Sequence, residues 1–290
     1  MPVVLRRPAP PLDELVTGIT YRAGEQPRTS VEKILPGPET GLWVNLNRDA
    51  FRSFGDTGQV HQVPGAMVAG PTDRASVIEF EQGHAHVSVT FTLGGAACFF
   101  AAPVALLRDD LVPLEALWGR SGACLRERLL EAPTPEDALA VMEDALLQRL
   151  TSGFGSSSLG PASPGPDPAV VAAAGALSRG VRVGEVSVAL GLLPRTLRRR
   201  FTAHVGLSPK RFARVQRLQR VVRNLDGRTQ ADWAAVAAEH GYADQPHLAD
   251  EFRELAGVTP TEYLRSRVNG PNHLLFLPAP VLSEVGCVRS

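Results

Sequence analysis

Between Leu192 and Asn224 the chain reads LLPRTLRRRFTAHVGLSPKRFARVQRLQRVVRN, with ten Lys or Arg residues and no Asp or Glu. A guanidinium offers five N–H donors in a planar fork that pairs bidentately with phosphate or with guanine O6 and N7. Spacing sharpens the chemistry. On a helix, Arg195, Arg198, Arg199 and Thr202 share one face at i, i+3, i+4 and i+7, with Thr196 beside them, while Leu197 and Phe201 turn toward a core. The helix expected from Pro209 continues the excess with Lys210, Arg211, Arg214, Arg217, Arg220 and Arg223. A solvated helix surface is the plain alternative, but such surfaces normally mix both signs. Nucleic acid is the expected partner.

Other chemistry is thinly represented. No GxSxG elbow, P-loop, HExxH, or GxGxxG after a strand occurs, and SGFGSSSLG lacks the lysine of a phosphate loop. His84 and His86, in GHAHVSV, lie at the H-x-H spacing that supplies two metal ligands from one strand face. No third ligand follows at a recognisable spacing, and Glu79, Glu81 or His61 could be enlisted only arbitrarily. The pair is therefore a weak metal candidate, read as exposed or hydrogen-bonded histidines. Cys98, Cys124 and Cys287 are far apart and without CxxC spacing, which suggests reduced thiols. No cofactor and no enzymatic activity are expected.

The elements that must position these residues divide the chain. The formal net charge is zero, but residues 1–168 carry 13 basic and 20 acidic residues, whereas 169–267 carry 16 basic and 9 acidic. Between the halves lies TSGFGSSSLGPASPGPDP, a Gly/Ser/Pro composition that forms no packed core. The expected organisation is a β-rich sensing or dimerisation domain over 1–150 and a linker over 151–168. A DNA-binding domain over 169–267 and a tail over 268–290 follow. In the first domain, Gly41–Asn47, Gly65–Gly70, Ser76–Glu81 and His86–Leu93 read as short strands of a small antiparallel barrel or sandwich. Helices follow from Pro113, one with Thr134 as N-cap. They could form a dimer surface or pack on the strands.

The basic half reads as all helix and repeats itself. Phe201-x4-Gly206-x2-Pro209-x2-Phe212 recurs as Phe252-x4-Gly257-x2-Pro260-x2-Tyr263, with Gly191 and Gly241 as turn glycines upstream. Each copy is a helix, a glycine turn and a second helix, the plan that sets its second helix in the major groove. The fold class is thus α+β: a small β-barrel or sandwich with helices, then an all-α duplicated helix-turn-helix domain. No window is long and apolar enough for a bilayer span, and the N-terminus lacks a signal-peptide core, so a cytoplasmic location is expected.

With G-x-S-P-x-x-F after the first unit and GY-x-D-x-x-H-L…F-R…G-x-T-P-x-x-Y in the second, the C-terminal third resembles the DNA-binding domain of AraC/XylS-type transcriptional regulators. The N-terminal half is similar, more weakly, to the cupin-like or related β-rich domain that precedes it in many of them. The resemblance implies two recognition helices in successive major grooves. The base-reading positions would be Arg195, Arg198 and Arg199 in the first unit and Gln245, Pro246, His247 and Asp250 in the second, with Lys210 on the joining helix. It implies double-stranded DNA as partner, with RNA polymerase, a small-molecule effector and a second copy of the chain as candidates, and no membrane. Two departures stand out: Leu193 occupies a position where the family commonly has a Ser N-cap, and Asp250, followed by Glu251 and Glu254, replaces an outward Arg. The acidic residues would repel phosphate, making the second unit a discriminator more than a grip. The alternative reading is a metal-dependent cupin-type enzyme fused to a DNA-targeting domain.

Overall fold

The structure, a computed structural model, describes residues 3–24, 29–55, 59–80, 83–152, 166–268 and 270–275. The expected linker lies largely outside the described residues, as do Cys287 and the tail beyond Leu275.

The N-terminal half is a sandwich of two antiparallel sheets. One contains β1 (Val3–Arg6), β2 (Val16–Ala23), β9 (Ala85–Phe91), β4 (Gly41–Asn45), β7 (Ala66–Ala69) and β10 (Leu111–Pro113), in that spatial order. The other contains β11 (His273–Leu275), β3 (Ser30–Ile34), β8 (Ser76–Phe80), β5 (Ala50–Phe54) and β6 (Val60–Pro64). Alternation along the strands assigns the faces of the first sheet. Leu42, Val44, Val87, Val89 and Phe91 join a core with residues of α1 (Leu114–Trp118), α2 (Arg120–Leu130) and α3 (Pro135–Thr151). Thr134 caps α3 by accepting from the Asp137 N–H. The helices' apolar stripe, including Leu125, Leu139 and Leu146, packs on the strands in this core, the second of the two outcomes that the pattern allows. Between the sheets only a small apolar cluster forms, from Phe51, Val63 and Met67 with Trp43 and Leu111.

The C-terminal half is helical: α4 (Pro168–Ser178), α5 (Val183–Ala189), α6 (Pro194–Val205), α7 (Pro209–Asn224), α8 (Trp233–Glu239), α9 (Gln245–Ala256) and α10 (Pro260–Ser266). It holds two separate cores, and α7 serves both. Phe212 and Val215, near its start, pack with Leu197, Phe201 and Val186 of the first unit. Leu218, Val221 and Val222, near its end, pack with Val236, Leu248, Phe252 and Tyr263 of the second.

The two halves of the chain are in direct contact. Leu35 enters the second unit's core, and Gln219 Nε2 donates to the Pro36 carbonyl at 2.7 Å. The Ala75 N–H donates to the Leu255 carbonyl at 2.9 Å, and Arg211 pairs with Asp73 at 2.9 Å. The expected tail contributes structure too: β11 adds to β3, pairing His273 with Ile34 and Leu275 with Glu32. Leu274 of that strand is buried in the second unit's core, so one three-residue strand touches both domains.

Gly206 ends α6 at φ 82°, and a Cβ there would stand 2.4 Å from Pro71 Cγ. Gly227 has a similar φ of 74° with nothing within 4 Å of its would-be Cβ. Ala at Gly227 should therefore cost only the left-handed backbone penalty, about 1 kcal/mol, whereas Gly206→Ala adds an overlap with the neighbouring domain. Urea unfolding should show the larger loss at Gly206. Equal losses would mean that this interdomain contact contributes nothing.

Candidate nucleic-acid interface

In the first unit, Gly191 (φ 61°) turns the chain from α5 into α6. Leu193 occupies the N-cap without a side-chain hydrogen bond, and Pro194 supplies the pre-set first turn. Burial of Leu197 and Phe201, both fully inaccessible, fixes the rotation of α6. That rotation leaves Arg195, Arg198 and Arg199 exposed, and none of the three has an ion pair among the described residues. Thr196 is half-buried. Thr202 departs from the expected face, since its Oγ1 is buried without a hydrogen-bond partner. The end of α6 packs against the 3-10 turn Val104–Leu107 of the sandwich domain, so the stripe stops after Arg199.

The positive run is far less uncompensated than its sequence implies. Arg200 forks onto Asp167, at 2.7 Å from Nε and 2.6 Å from Nη2, and the same carboxylate caps α4. Burial opposes the charge of Asp167, but the Arg200 fork and the Ala169 and Val170 N–H groups outweigh it and hold the carboxyl below its usual range. Arg211 pairs with Asp73, Arg214 and Arg217 pair with Glu251, and Arg220 donates to the Ser178 carbonyl at 2.7 Å. Asp73, Asp167, Glu251 and Glu254, distant in sequence, neutralise four of the ten basic residues of the run. Arg195, Arg198, Arg199, Lys210 and Arg223 remain exposed without such partners among the described residues.

In the second unit, Gly241 (φ 76°) makes the turn and Asp244 caps α9, accepting from the His247 N–H at 2.8 Å. Gln245, Pro246, His247 and Asp250 are all exposed. The His247 ring meets Tyr242 edge-on at 5.3 Å and its Nδ1 accepts from the Ala243 N–H, which fixes its orientation. Asp250 lies 3.4 Å from Arg253. Glu251 corrects the sequence reading: it is 6% exposed and faces α7, so it presents no charge to a duplex.

Lys210, His247 and Asp250 come together around a cleft of about 800 Å3 between the two units, whereas the α6 arginines lie outside it. Arg179 and Arg182 line the same cleft from the α4–α5 turn. The sequence reading missed these two because, in SRGVRV, they stand apart from the dense basic run.

The histidine pair is also corrected. His84 and His86 are 6% and 5% exposed, and His84 Nε2 and His86 Nδ1 have no hydrogen-bond partner among the described residues. Their rings stack 5.0 Å apart, His86 lies 5.0 Å from Trp43, and Phe51 and Phe80 meet His84 edge-on. Among the described residues no group of three or more His, Cys, Asp or Glu forms a metal-ligand set. Burial lowers the His84 pKa and, aided by His84, Arg22 and His273, pushes that of His86 down to about 3.

The chain combines a β-sandwich with two helix-turn-helix units on a shared helix. Residues 186–266 match the profile of a helix-turn-helix domain family, and residues 6–113 match that of domain of unknown function 6597. Residues 186–266 thus belong to a helix-turn-helix domain, and the β-rich sandwich domain before it matches that second family. Among solved structures, ToxT from Vibrio cholerae is 11% identical at a TM-score of 0.46, over 84% of this chain and 98% of its own. A ToxT structure with bound unsaturated fatty acid is 10% identical at 0.45, over 84% and 94%. The AraC-like transcriptional activator CuxR is 12% identical at 0.24, over 75% and 86%. No curated protein sequence matches the chain.

His86 gives a pH prediction with a definite sign. Below its ordinary value of 6.5 the unfolded chain takes up a proton that the folded chain refuses until about pH 3. The associated stability is present above pH 6.5 and is lost as pH falls, by about 2 kcal/mol between pH 7 and 5. Urea midpoints at the two pH values should differ less for His86→Leu than for wild type. Equal pH sensitivity would show that His86 protonates freely in the folded state.

Proposed function

We propose that this protein is a transcription regulator that binds double-stranded DNA sequence-specifically through α6 and α9. The observation that carries this reading is the set Arg195, Arg198 and Arg199. Three exposed guanidiniums lie on the second helix of a helix-turn-helix unit, whereas Arg200, Arg211, Arg214 and Arg217 of the same run are paired with acids. The three on α6 stand where a base edge or phosphate would meet them. Asp250 and His247 supply the second unit's contact chemistry, an acceptor for a donor such as cytosine N4 and a ring held by Ala243. Lys210, with Arg179 and Arg182, supplies phosphate contacts.

The working division is a sandwich domain over 1–150 and a DNA-binding domain over 169–267. The sandwich modulates binding through its contacts with α6, α7 and α9, in response to a small molecule or a second copy of the chain. A cytoplasmic location follows from this role. The enzyme alternative would rest on the buried His84–His86 pair. No helix among the described residues is long and apolar enough to cross a membrane.

Two measurements on the full chain test the reading. Arg198→Ala and Arg199→Ala should each cost about 1–3 kcal/mol on a selected operator and relax preference at one or two base pairs, while Lys210→Ala weakens all duplexes alike. With the six cations Arg179, Arg182, Arg195, Arg198, Arg199 and Lys210 set against the duplex, log K against log salt should have a slope of about −5. A slope near −9 would mean that the paired arginines also engage the DNA. Asp250→Arg should tighten binding to random duplex and narrow the gap to the operator. Should both arginine variants keep full specific binding, α6 is not a reading helix.

A further inference from the structure

The two helix-turn-helix units have separate apolar cores, and a continuous helix fixes only their separation along its axis. Beside the apolar packing of Leu248 and Phe252 against Leu218 and Val222, a charged cluster at the crossing of α9 and α7 constrains their relative rotation. Glu251, in the middle of α9, is buried, and its carboxylate accepts from both Arg214 and Arg217 of α7. Arg217 is bidentate, with Nε 2.9 Å from Oε1 and Nη2 2.6 Å from Oε2. Arg214 adds Nε at 2.9 Å from Oε2. On its other side the Arg217 guanidinium lies 4.4 Å over the Tyr242 ring and donates to the Gly241 carbonyl at 3.4 Å, so it also grips the turn that launches α9. Arg214 also pairs with Glu254, one turn further along and mostly exposed.

Apolar side chains can slide over one another at small cost, but a forked guanidinium–carboxylate pair has one geometry. Buried from water, it also cannot be exchanged cheaply for solvent. Arg214 neighbours Val215 of the first core and Arg217 neighbours Leu218 of the second, so Glu251 draws together donors from both halves of α7. The second recognition helix is thereby referred to the helix that carries the first.

We infer that Glu251 is a positioning residue that sets the spacing and phase at which the two recognition helices engage their half-sites. The inference rests on the DNA-binding reading above. Inserting one base pair between half-sites moves the second by about 3.4 Å and about 34° around the duplex. A protein with a fixed angle between its readers discriminates against that change, and one with a loosened angle follows it. Glu251→Gln keeps the side chain's size but puts an amide donor against two guanidiniums. Arg217→Lys keeps the charge and removes the fork.

The test uses the full chain and an operator selected from a random duplex pool, with derivatives lengthened or shortened by one base pair between the half-sites. Wild type should prefer the selected spacing by roughly tenfold or more, a step comparable to one or two mismatched pairs. Glu251→Gln should reduce that ratio to within about threefold, and Arg217→Lys should do the same if the glutamine variant does not fold. Glu254→Gln, at the exposed rim, should keep the wild-type ratio. A merely structural role for Glu251 would lower affinity for all spacings together and leave the ratio intact. Unchanged spacing preference in a folded Glu251→Gln or Arg217→Lys protein overturns the inference while leaving the DNA-binding reading in place. A wild-type chain with no specific duplex binding overturns both.

Discussion

The arrangement of the C-terminal half depends on one helix satisfying two cores. α7 presents Phe212 and Val215 to the first unit and Leu218, Val221 and Val222 to the second, so neither unit is complete without it. A sixteen-residue helix rises about 24 Å, which sets the separation of the units before any side chain between them is considered. Because these apolar faces must be buried, the polar residues of α7 are confined to the remaining surface. There the arginines meet acids brought from elsewhere in the chain.

That confinement explains the partition of positive charge. A guanidinium in a half-buried position is tolerable only with acceptors nearby, and the fold supplies Asp73, Asp167, Glu251 and the Ser178 carbonyl. On α6, Leu197 and Phe201 take up the inward face, and Arg195, Arg198 and Arg199 project where no acid approaches. The difference between a paired and an exposed arginine here is therefore one of position relative to the cores, since the side chain is the same.

The sandwich domain is organised by a similar economy of surface. Its larger core lies outside the first sheet, under α1 to α3, and the space between the sheets holds few aliphatic groups but two buried histidines beside Trp43, Phe51 and Phe80. Its loops around Leu35, Pro71 and Ala75 touch α6, α7 and α9, and β11 returns from beyond α10 to close its second sheet. A change in the sandwich accordingly has a physical route to both recognition helices.

By itself the sequence determined the helix-turn-helix repeat, the strand-then-helix order of the first half, the Thr134 and Leu193 cap positions and the outward face of Arg195, Arg198 and Arg199. These follow from local rules: helical periodicity, turn glycines and capping chemistry act over a few residues and are legible in one dimension. Strands β1, β6 and β11 were not legible, because short edge strands owe their existence to the neighbour they pair with, and β2, β3, β5 and β10 were not legible either. The neutralisation of Arg211 by Asp73 and of Arg217 by Glu251 was equally hidden, as was the burial of His84 and His86. Tertiary structure alone decided these, because pairing energy and desolvation depend on which distant residues the fold brings within a few ångströms, and no spacing along the chain encodes that distance.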